Sequence, residues 1–288
     1  MNKRVALTGG SGFIGQAITK RLQSLDCEIL QIKREDYYTG LLQSKLESFN
    51  PNIIISAGAY GNHSTQTDDA ETFEANVVKT FLLLNDTKNI SYDAFINFGS
   101  SSEYGKKDLP MWEGNLLEPL SMYAATKAAG TMLCRGFAKK YNKLIVTVRP
   151  FSVYGPGEAE FRFIPTVIRS LIKDEELSLE LRAFHDWIYI DDLVEGILQV
   201  IDKVKVLAGN PINIGTGKQY RNEEVVNLLS FIADKKPKIK LVKLRHQDSS
   251  VWVADNNLLK LCGWTPKVDL MPGLRKTYQY YKQIYENN

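Results

Sequence analysis

A short apolar run near the N-terminus ends in a cluster of glycines, and a segment with helical spacing follows it. The run is Arg4–Thr8, and the helical segment spans 13–25. In such a turn the first glycines keep the backbone tight, Gly12 lets it approach a ligand, and Gly15 lets the helix pack closely on the strand. The N–H groups left free at a helix start attract phosphate. The sequence therefore predicts a dinucleotide-binding turn with contacts from Gly9, Gly12, Phe13, Ile14 and Gly15.

Apolar runs and helix-like segments alternate through the first half of the chain. The further apolar runs are 28–32, 53–57, 94–98 and 145–148, and the helix-like segments between them are 41–49, 72–85 and 121–141. Near-continuous apolar strands separated by helices are typical of a parallel sheet covered on both faces. We therefore predict an α/β fold built on a doubly wound parallel Rossmann sheet.

The pattern loosens after Arg149, where proline and glycine cluster and the strand-like runs 188–190 and 212–214 are widely spaced. Helix-like segments at 163–172, 222–233 and 272–285 follow the same part of the chain. We predict a dinucleotide-binding domain over 1–150 that also takes later sheet elements from about 186–215. The remainder, mainly 151–288, is predicted to form a smaller, interleaved C-terminal substrate-binding lobe.

The composition excludes several classes of protein. Lysine and arginine number 36 against 33 aspartates and glutamates and are scattered, which is not the basic stripe of a nucleic-acid binder. The three cysteines and three histidines are isolated, so we predict neither a disulfide framework nor a metal site. The chain passes from Met1 directly into a strand and has no long apolar run, so we predict no membrane segment and a cytoplasmic location.

The residues after the second strand indicate which dinucleotide binds. An acidic side chain at that point holds the ribose 2′-hydroxyl of NAD, whereas a basic one accepts the 2′-phosphate of NADP. Here Lys33 and Arg34 follow the apolar run, and Glu35 and Asp36 lie just beyond them, so the assignment depends on the register. We favour NADP(H), with NAD(H) as the alternative.

A tyrosine and a lysine stand four residues apart in the segment YAATK, as Tyr123 and Lys127. On a helix these side chains share a face, and an ammonium beside a phenol lowers the phenol pKa. Such a tyrosine can give or take a proton near neutral pH. The predicted helix follows a strand that ends at Ser100, Ser101 and Ser102, whose hydroxyls are placed to hold a substrate carbonyl.

Several motifs occur together in the order that they take in one enzyme superfamily. They are TGGSGFIG at 8–15, GSSSEYG at 99–105, YAATK at 123–127, RPFSVYGPG at 149–157 and DWIYIDD at 186–192. With these motifs the chain resembles the extended short-chain dehydrogenase/reductase superfamily, in the branch of the NAD(P)-dependent sugar-nucleotide epimerases, dehydratases and 4-ketoreductases. The resemblance covers nearly the whole chain.

The resemblance implies a role for each catalytic and cofactor position. Tyr123 is the implied general acid/base, and Lys127 tunes it and binds the nicotinamide ribose. Counting back from the YG pair selects Ser100 to bind the reacting oxygen, whereas aligning on the Ser-Glu pair selects Ser101, which we favour. The implied cofactor contacts also include a buried asparagine and the small residues that pass over the dinucleotide, namely Asn76, Ala57, Gly58 and Ala59.

The resemblance also implies a set of substrate contacts. Ser152 stands where relatives often have asparagine, and His185 stands where they have an arginine that contacts the diphosphate, so Arg182 is the proposed substitute. A basic fork suits a diphosphate. The predicted substrate contacts are Ser102, Glu103, Ser152, Arg162, Arg182 and Arg245.

Three chemistries share this scaffold. A 4,6-dehydratase needs an Asp-Glu pair beside the serine, and here Glu103 lacks the aspartate. A 4-epimerase retains NAD, which Lys33 and Arg34 oppose. We therefore predict NADPH-dependent reduction of the C4 keto group of a 4-keto-6-deoxy sugar nucleotide for surface polysaccharide, as in the reductases that finish 3,6-dideoxyhexoses as CDP-sugars. An NAD-dependent 4-epimerase is the alternative.

Two further expectations concern catalysis and assembly. A non-catalytic dinucleotide sensor on the same fold typically loses the Tyr-Lys pair, and its retention here favours an enzyme. By resemblance, the segments 72–85 and 121–141 are expected to pair across a two-fold axis into a four-helix bundle, which would make the protein a homodimer.

Overall fold

A computed structural model describes residues 3–63, 65–242 and 249–286. Its strands are short and are spread along the whole chain. In chain order they are β1 (Arg4–Thr8), β2 (Glu28–Ile32), β3 (Ile53–Ser56), β4 (Ala94–Phe98), β5 (Ile145–Pro150), β6 (Ser152–Tyr154), β7 (Glu176–Leu179), β8 (Phe184–His185), β9 (Trp187–Tyr189), β10 (Pro211–Ile214), β11 (Tyr220–Arg221) and β12 (Lys238–Leu241).

The α-helices alternate with these strands. They are α1 (Phe13–Gln23), α2 (Leu41–Phe49), α3 (Asp69–Phe73), α4 (Lys79–Thr87), α5 (Met122–Tyr141), α6 (Phe163–Lys173), α7 (Ile190–Asp202), α8 (Val204–Leu207), α9 (Asn222–Ala233), α10 (Asn257–Leu261) and α11 (Leu270–Glu286). Two 3₁₀ turns, Arg34–Tyr37 and Ser101–Tyr104, follow β2 and β4.

Six parallel strands form the central sheet in the order β10-β5-β4-β3-β1-β2. The chain runs from β1 outward to β2 and then returns to place β3 on the other side of β1. The order therefore reverses between β1 and β3, and in open α/β sheets ligands bind outside the carboxyl ends of the strands at such a point. The loops after Thr8 and after Ser56 meet there.

Alternate residues of each central strand face opposite sides of the sheet, and both sides are buried. Val5 and Leu7 of β1 belong to a core that includes Ile18 of α1 and Leu193 of α7. Ala6 belongs to a second core, with residues of α2, α4 and α5. Burial on both faces explains why these strands read as continuous apolar runs in the sequence. The predicted α/β fold class is confirmed.

The segment predicted as one helix over 72–85 is interrupted. It consists of α3, a π-helical turn at Glu74–Val78, and α4. Asp68 caps its start by accepting from the backbone N–H of Ala70 and Glu71. A π turn admits one extra residue and often marks a functional position, and here it contains the buried Asn76.

The second half of the chain adds three two-stranded sheets, which pair β6 with β9, β7 with β12, and β8 with β11. The strand predicted at 188–190 is observed one residue earlier, as β9, whereas β6, β7, β8, β11 and β12 were not predicted, because strands this short carry little periodic signal. Asp186 ties its own loop to two others by accepting from the N–H groups of Thr216, Gly217 and Ala254.

The division of the chain into two units stays a prediction. Within the described ranges, no helix is long and apolar enough to cross a membrane.

Candidate active site

The turn between β1 and α1 leaves no room for side chains at two of its glycines. Gly9 has a left-handed φ of +69°, and a Cβ there would lie 2.6 Å from the backbone nitrogen of Gly58. A Cβ on Gly15 would lie 2.1 Å from the carbonyl oxygen of Gly9. The protein itself therefore requires glycine at both positions, because the two loops and the start of α1 touch at backbone distance.

Gly12 differs, because the protein leaves space beside it. The nearest described atom to a Cβ at Gly12 is the carbonyl oxygen of Gly9, at 3.4 Å. Gly12 is the N-cap of α1 and brings no side chain to its free N–H groups, and Phe13 and Ile14 begin the first turn. A helix start of this kind offers hydrogen bonds and a positive dipole end to a phosphate. The turn thus fits the pyrophosphate of a dinucleotide, which would fill the space beside Gly12.

Alanine at Gly12 and at Gly15 should therefore have opposite consequences. We expect Gly12→Ala to leave the thermal midpoint within about 2 °C of the wild type, since surface-like changes cost little, while it weakens dinucleotide binding at least about tenfold. Gly15→Ala should instead destabilise the fold by roughly 1–3 kcal/mol through overpacking. Thermal unfolding and a cofactor titration on both variants distinguish the two effects. Equal destabilisation by the two substitutions would contradict this reading of Gly12.

The end of β2 carries exposed basic residues, while its nearest buried acid is already paired. Lys33 and Arg34 are exposed. Asp36 is only 1% exposed, accepts from the backbone N–H of Lys33 at 2.9 Å and pairs with Lys45 at 2.5 Å. Its carboxylate is therefore engaged within the protein. Arg34 pairs with Glu71 of α3, with 2.8 Å between Nη1 and Oε1.

The predicted catalytic pair, Tyr123 and Lys127, lies in the first two turns of α5. Ser121 caps this helix by accepting from the N–H of Ala124 at 3.1 Å. Burial raises the pKa of Tyr123, against the lowering effects of a hydrogen bond with Ser100 and of the Arg162 guanidinium. Burial also lowers the pKa of Lys127 to about 8. The prediction that Tyr123 has a lowered pKa is therefore wrong for this structure, because the loss of hydration outweighs the lowering by Ser100 and Arg162.

Only one of the two candidate serines is described in contact with the tyrosine. The hydroxyl of Ser100 bonds to that of Tyr123 and also accepts from the backbone N–H of Ser102 at 3.1 Å. Ser101 is buried at the start of the 3₁₀ turn, and Ser102 is half-buried beside it. The geometry therefore favours Ser100 as the serine that binds the reacting oxygen. The alignment on the Ser-Glu pair had favoured Ser101.

Glu103 was predicted to contact substrate, and the structure contradicts that prediction. Its side chain is fully buried and forms an ion pair with Arg149, with 2.8 Å between Nη2 and Oε2. It also accepts from the hydroxyl of Thr131 at 3.0 Å and from the backbone N–H of Ser100 at 2.8 Å. The carboxylate thus points into the protein, where it fixes the backbone of Ser100. Sequence reasoning missed Arg149, whose partner lies 46 residues away.

Asn76 clamps the loop after β3 to the catalytic helix. Its amide nitrogen donates to the carbonyl of Tyr60 at 2.9 Å and to the hydroxyl of Thr126 at 3.0 Å, and its oxygen accepts from the N–H of Tyr60 at 3.1 Å. The same loop contains Ala57, Gly58 and Ala59, and Gly58 donates to the hydroxyl of Thr8 at 3.1 Å. Both amide hydrogens of Asn76 donate to protein atoms, so a contact with the cofactor would have to be made by its amide oxygen.

The predicted substrate residues lie on several elements. Ser152 and His185 are within hydrogen-bond distance, 3.1 Å between Oγ and Nδ1. Arg162 is the N-cap of α6, is half-buried and lies close enough to Tyr123 to lower its pKa. Arg182 is 68% exposed and pairs with Glu180, so the structure does not bring it to the Ser152–His185 pair by any described contact. Arg245 lies outside the described residues.

One acidic residue near the site was missed in the sequence. Glu158 is buried, and its Oε2 has no hydrogen-bond partner among the residues that the structure describes. Burial raises its pKa to about 8, and Arg162 acts in the opposite direction. The segment YGPGEAEF gave no signal for this, because a glutamate in a loop is ordinarily exposed.

A phosphate-binding turn at the point where strand order reverses, with a Ser–Tyr–Lys set between β4 and α5, defines a dinucleotide-dependent enzyme of the extended short-chain dehydrogenase/reductase type. Residues 5–215 match the family described as the NAD dependent epimerase/dehydratase family, and the chain belongs to that family.

Curated relatives and solved structures agree with this assignment. The chain is 26% identical to the GDP-L-colitose synthase of Yersinia pseudotuberculosis, with 99% of the chain and 100% of the relative aligned. It is also 26% identical, over 98% of its length, to an Arabidopsis thaliana trifunctional UDP-glucose 4,6-dehydratase/UDP-4-keto-6-deoxy-D-glucose 3,5-epimerase/UDP-4-keto-L-rhamnose-reductase, of which it spans only 47%. The UDP-glucuronic acid 4-epimerase of Bacillus cereus, solved with UDP-glucuronic acid and NAD, superposes with a TM-score of 0.87 at 28% identity, covering 98% of this chain and 100% of that one.

Proposed function

We propose that this protein reduces the C4 keto group of a 4-keto-6-deoxy sugar nucleotide, a class that includes the 3,6-dideoxy sugars, with NADPH as reductant. The observation that carries the proposal is the cofactor end of the site. Lys33 and Arg34 are exposed at the carboxyl end of β2, whereas Asp36 is buried against Lys45. A basic pair suits a 2′-phosphate, and a reductase needs a cofactor that leaves after each turnover.

The chain's own residues then supply the acid chemistry. Bound NADPH would provide the hydride that adds to C4. Tyr123 keeps its proton at neutral pH because burial raises its pKa, so its hydroxyl can protonate the oxygen at C4. Ser100, bonded to Tyr123, orients the same oxygen. Burial lowers the pKa of Lys127 to about 8, and by the family resemblance this side chain is proposed to bind the nicotinamide ribose and to return a proton to Tyr123.

The position of Glu103 argues against dehydration. A 4,6-dehydratase needs an acid and a base beside the substrate-binding hydroxyl, and this carboxylate is engaged with Arg149. The similarity to a GDP-L-colitose synthase supports a sugar-nucleotide substrate. The substrate contacts that we propose are Ser102, Ser152, Arg162, Arg182 and Arg245, of which Arg162 has the best support because its charge reaches Tyr123.

An NAD-dependent sugar-nucleotide 4-epimerase is the second candidate. The Bacillus cereus 4-epimerase, solved with NAD and a UDP-sugar, favours it. The contact of Ser100 with Tyr123 disfavours a non-catalytic sensor, because binding a dinucleotide does not require a paired serine and tyrosine.

A fluorescence titration with NADPH and NADH tests the cofactor assignment. We expect NADPH to bind at least about tenfold more tightly, since a charge-assisted bidentate contact discriminates strongly. The double variant Lys33→Ala/Arg34→Ala should lose that preference while its NADH affinity stays unchanged. The matched control is Lys20→Ala/Arg21→Ala, which removes two basic residues from the last turn of α1. Tightly held NAD that co-purifies with the protein would overturn the NADPH assignment and favour the epimerase.

Oxidation of NADPH in the presence of 4-keto-6-deoxy sugar nucleotides tests the reaction. We would offer the CDP-, GDP-, UDP- and dTDP-linked sugars in parallel. Stoichiometric consumption of NADPH with one of them supports a reductase. Interconversion of two 4-hydroxy epimers without net loss of cofactor would identify an epimerase instead.

We also propose a homodimer formed through α4 and α5 as a four-helix bundle. Phe81 of α4 is 44% exposed and contacts Phe137 of α5 edge to face, with 6.0 Å between ring centroids. Met132 and Tyr141 of α5 are also exposed. An apolar surface of this kind is typical of an interface that a second copy covers.

Substitution of Phe81 tests this dimer. Phe81→Glu should shift the protein from dimer to monomer at micromolar concentration, because a carboxylate at the interface centre would be buried without a partner. Light scattering after size-exclusion chromatography measures the mass. Leu261→Glu is the control, because Leu261 is 86% exposed on α10. A wild-type protein that elutes as a monomer would contradict the assembly.

A further inference from the structure

An ion pair joins the segment after β2 to α3, next to the residues that are proposed to bind the cofactor. Arg34 lies immediately beyond β2, and Glu71 lies in α3, with 2.8 Å between Nη1 and Oε1. The guanidinium that the proposed function assigns to the 2′-phosphate is therefore already bound to a carboxylate of the protein. A ligand phosphate that binds the Nη1 edge of this guanidinium has to displace Glu71 from Arg34.

Glu71 is held in position from two sides. Its backbone N–H donates to Asp68, the N-cap of α3, at 3.0 Å. Its carboxylate accepts from the hydroxyl of Tyr60. Tyr60 is itself fixed, because both its backbone N–H and its carbonyl are bonded to the buried Asn76. The backbone of Glu71 is thus fixed at the start of α3, and its carboxylate, whose side chain is 34% exposed, has Tyr60 as a second partner besides Arg34.

Arg34 is the more exposed partner of the pair. Its side chain is 65% exposed, so water screens its contact with Glu71 and the pair is weak. Besides burial, the positive charge of Arg34 helps to lower the pKa of the nearby Lys79. A phosphate carries more charge than a carboxylate and matches the planar guanidinium fork equally well. Arg34 can therefore exchange one anion for the other at small cost.

We propose that Glu71 sets the selectivity between NADPH and NADH by competing with the 2′-phosphate for Arg34. This inference rests on the proposed function and deepens it. When NADPH binds, Arg34 turns to the phosphate, and Glu71, whose backbone is fixed, remains nearby and repels it. NADH presents a hydroxyl at the same place, which a carboxylate accepts. Glu71 therefore weakens NADPH binding selectively, which favours release of the oxidised cofactor after each turnover.

Binding measurements without sugar substrate test this role. We would titrate wild type, Glu71→Gln and Glu74→Gln with NADPH, NADH and 2′,5′-ADP. Glu74 is the matched control, because it lies three residues further along and bonds to Tyr38 rather than to Arg34. We expect Glu71→Gln to tighten NADPH and 2′,5′-ADP roughly three- to tenfold, since it removes both a competitor and a repelling charge. NADH binding should stay the same or weaken, and Glu74→Gln should change the ratio of the two dissociation constants less than twofold, to about the error of the titration.

The same substitution in an Arg34→Ala background isolates the competition. There the gain from Glu71→Gln should shrink, because no guanidinium remains to be released. An unchanged NADPH-to-NADH ratio in Glu71→Gln, or an equal gain with and without Arg34, would overturn the inference. Wild-type protein that binds NADPH but shows no shift in Glu71→Gln overturns the inference alone. A clear shift without turnover of any 4-keto sugar nucleotide overturns the proposed reaction alone.

Discussion

Replacing Tyr123 with phenylalanine is expected to lower kcat by about 10²–10⁴-fold, the usual contribution of a positioned general acid. The substitution removes only the hydroxyl that bonds to Ser100 and leaves the ring in place. The affinity for NADPH should therefore change little. Steady-state turnover and a cofactor titration on the same preparation separate the two quantities.

Two sets of companion variants sharpen that experiment. Tyr141→Phe is the control, because Tyr141 lies at the far end of α5 from the site and the change removes only a hydroxyl, which leaves the ring on the proposed dimer surface. Ser100→Ala should also reduce kcat strongly, whereas Ser101→Ala should have the smaller effect if contact with Tyr123 identifies the substrate-binding hydroxyl. A Tyr123→Phe enzyme within about threefold of wild type would eliminate Tyr123 as the general acid.

Removing the carboxylate of Glu103 is expected to destabilise the fold by about 3–5 kcal/mol, because Arg149 would be left buried without a counter-charge. Both side chains are almost inaccessible to water, and Arg149 also donates to the hydroxyl of Tyr104 at 2.9 Å. Glu103→Ala should therefore lower both the denaturant midpoint and the thermal midpoint. Urea unfolding followed by circular dichroism measures the change.

Exposed pairs provide the comparison for that result. Glu195→Ala breaks the ion pair with Arg21, whose side chains are both about 40% exposed, and should cost no more than about 1 kcal/mol. The double variant Glu103→Leu/Arg149→Met removes both buried charges and should recover much of the loss. A cost below about 1 kcal/mol for Glu103→Ala would contradict the expectation that Arg149 is left buried without a counter-charge. If Glu103→Ala does not accumulate as folded protein, the stability of the double variant relative to wild type still measures the net effect of the buried pair.

The buried pair also fixes the backbone of the serine that contacts the tyrosine. Glu103 accepts from the backbone N–H of Ser100 at 2.8 Å, so the ion pair fixes the point where β4 ends. From there the hydroxyl of Ser100 is directed to Tyr123. The spacing of the motif allowed either serine. The position of Ser100 depends on Arg149, which comes from the next strand of the sheet.

The sequence by itself determined the fold class, the phosphate-binding turn and the family. These features are encoded locally: apolar runs of strand length, helical spacing and glycines at fixed offsets act within a few residues of each other. The helix that carries Tyr123 and Lys127 was predicted at 121–141 and is observed at Met122–Tyr141 for the same reason.

Only the tertiary structure decided what the polar side chains contact. Glu103 meets Arg149 across 46 residues, Arg34 meets Glu71 across 37, and Asn76 meets Thr126 across 50. Burial then decided the direction of the Tyr123 pKa shift, against the prediction from the lysine alone. Such contacts depend on how distant segments pack, and a charged residue in a sequence carries no mark of whether water or another charge will surround it.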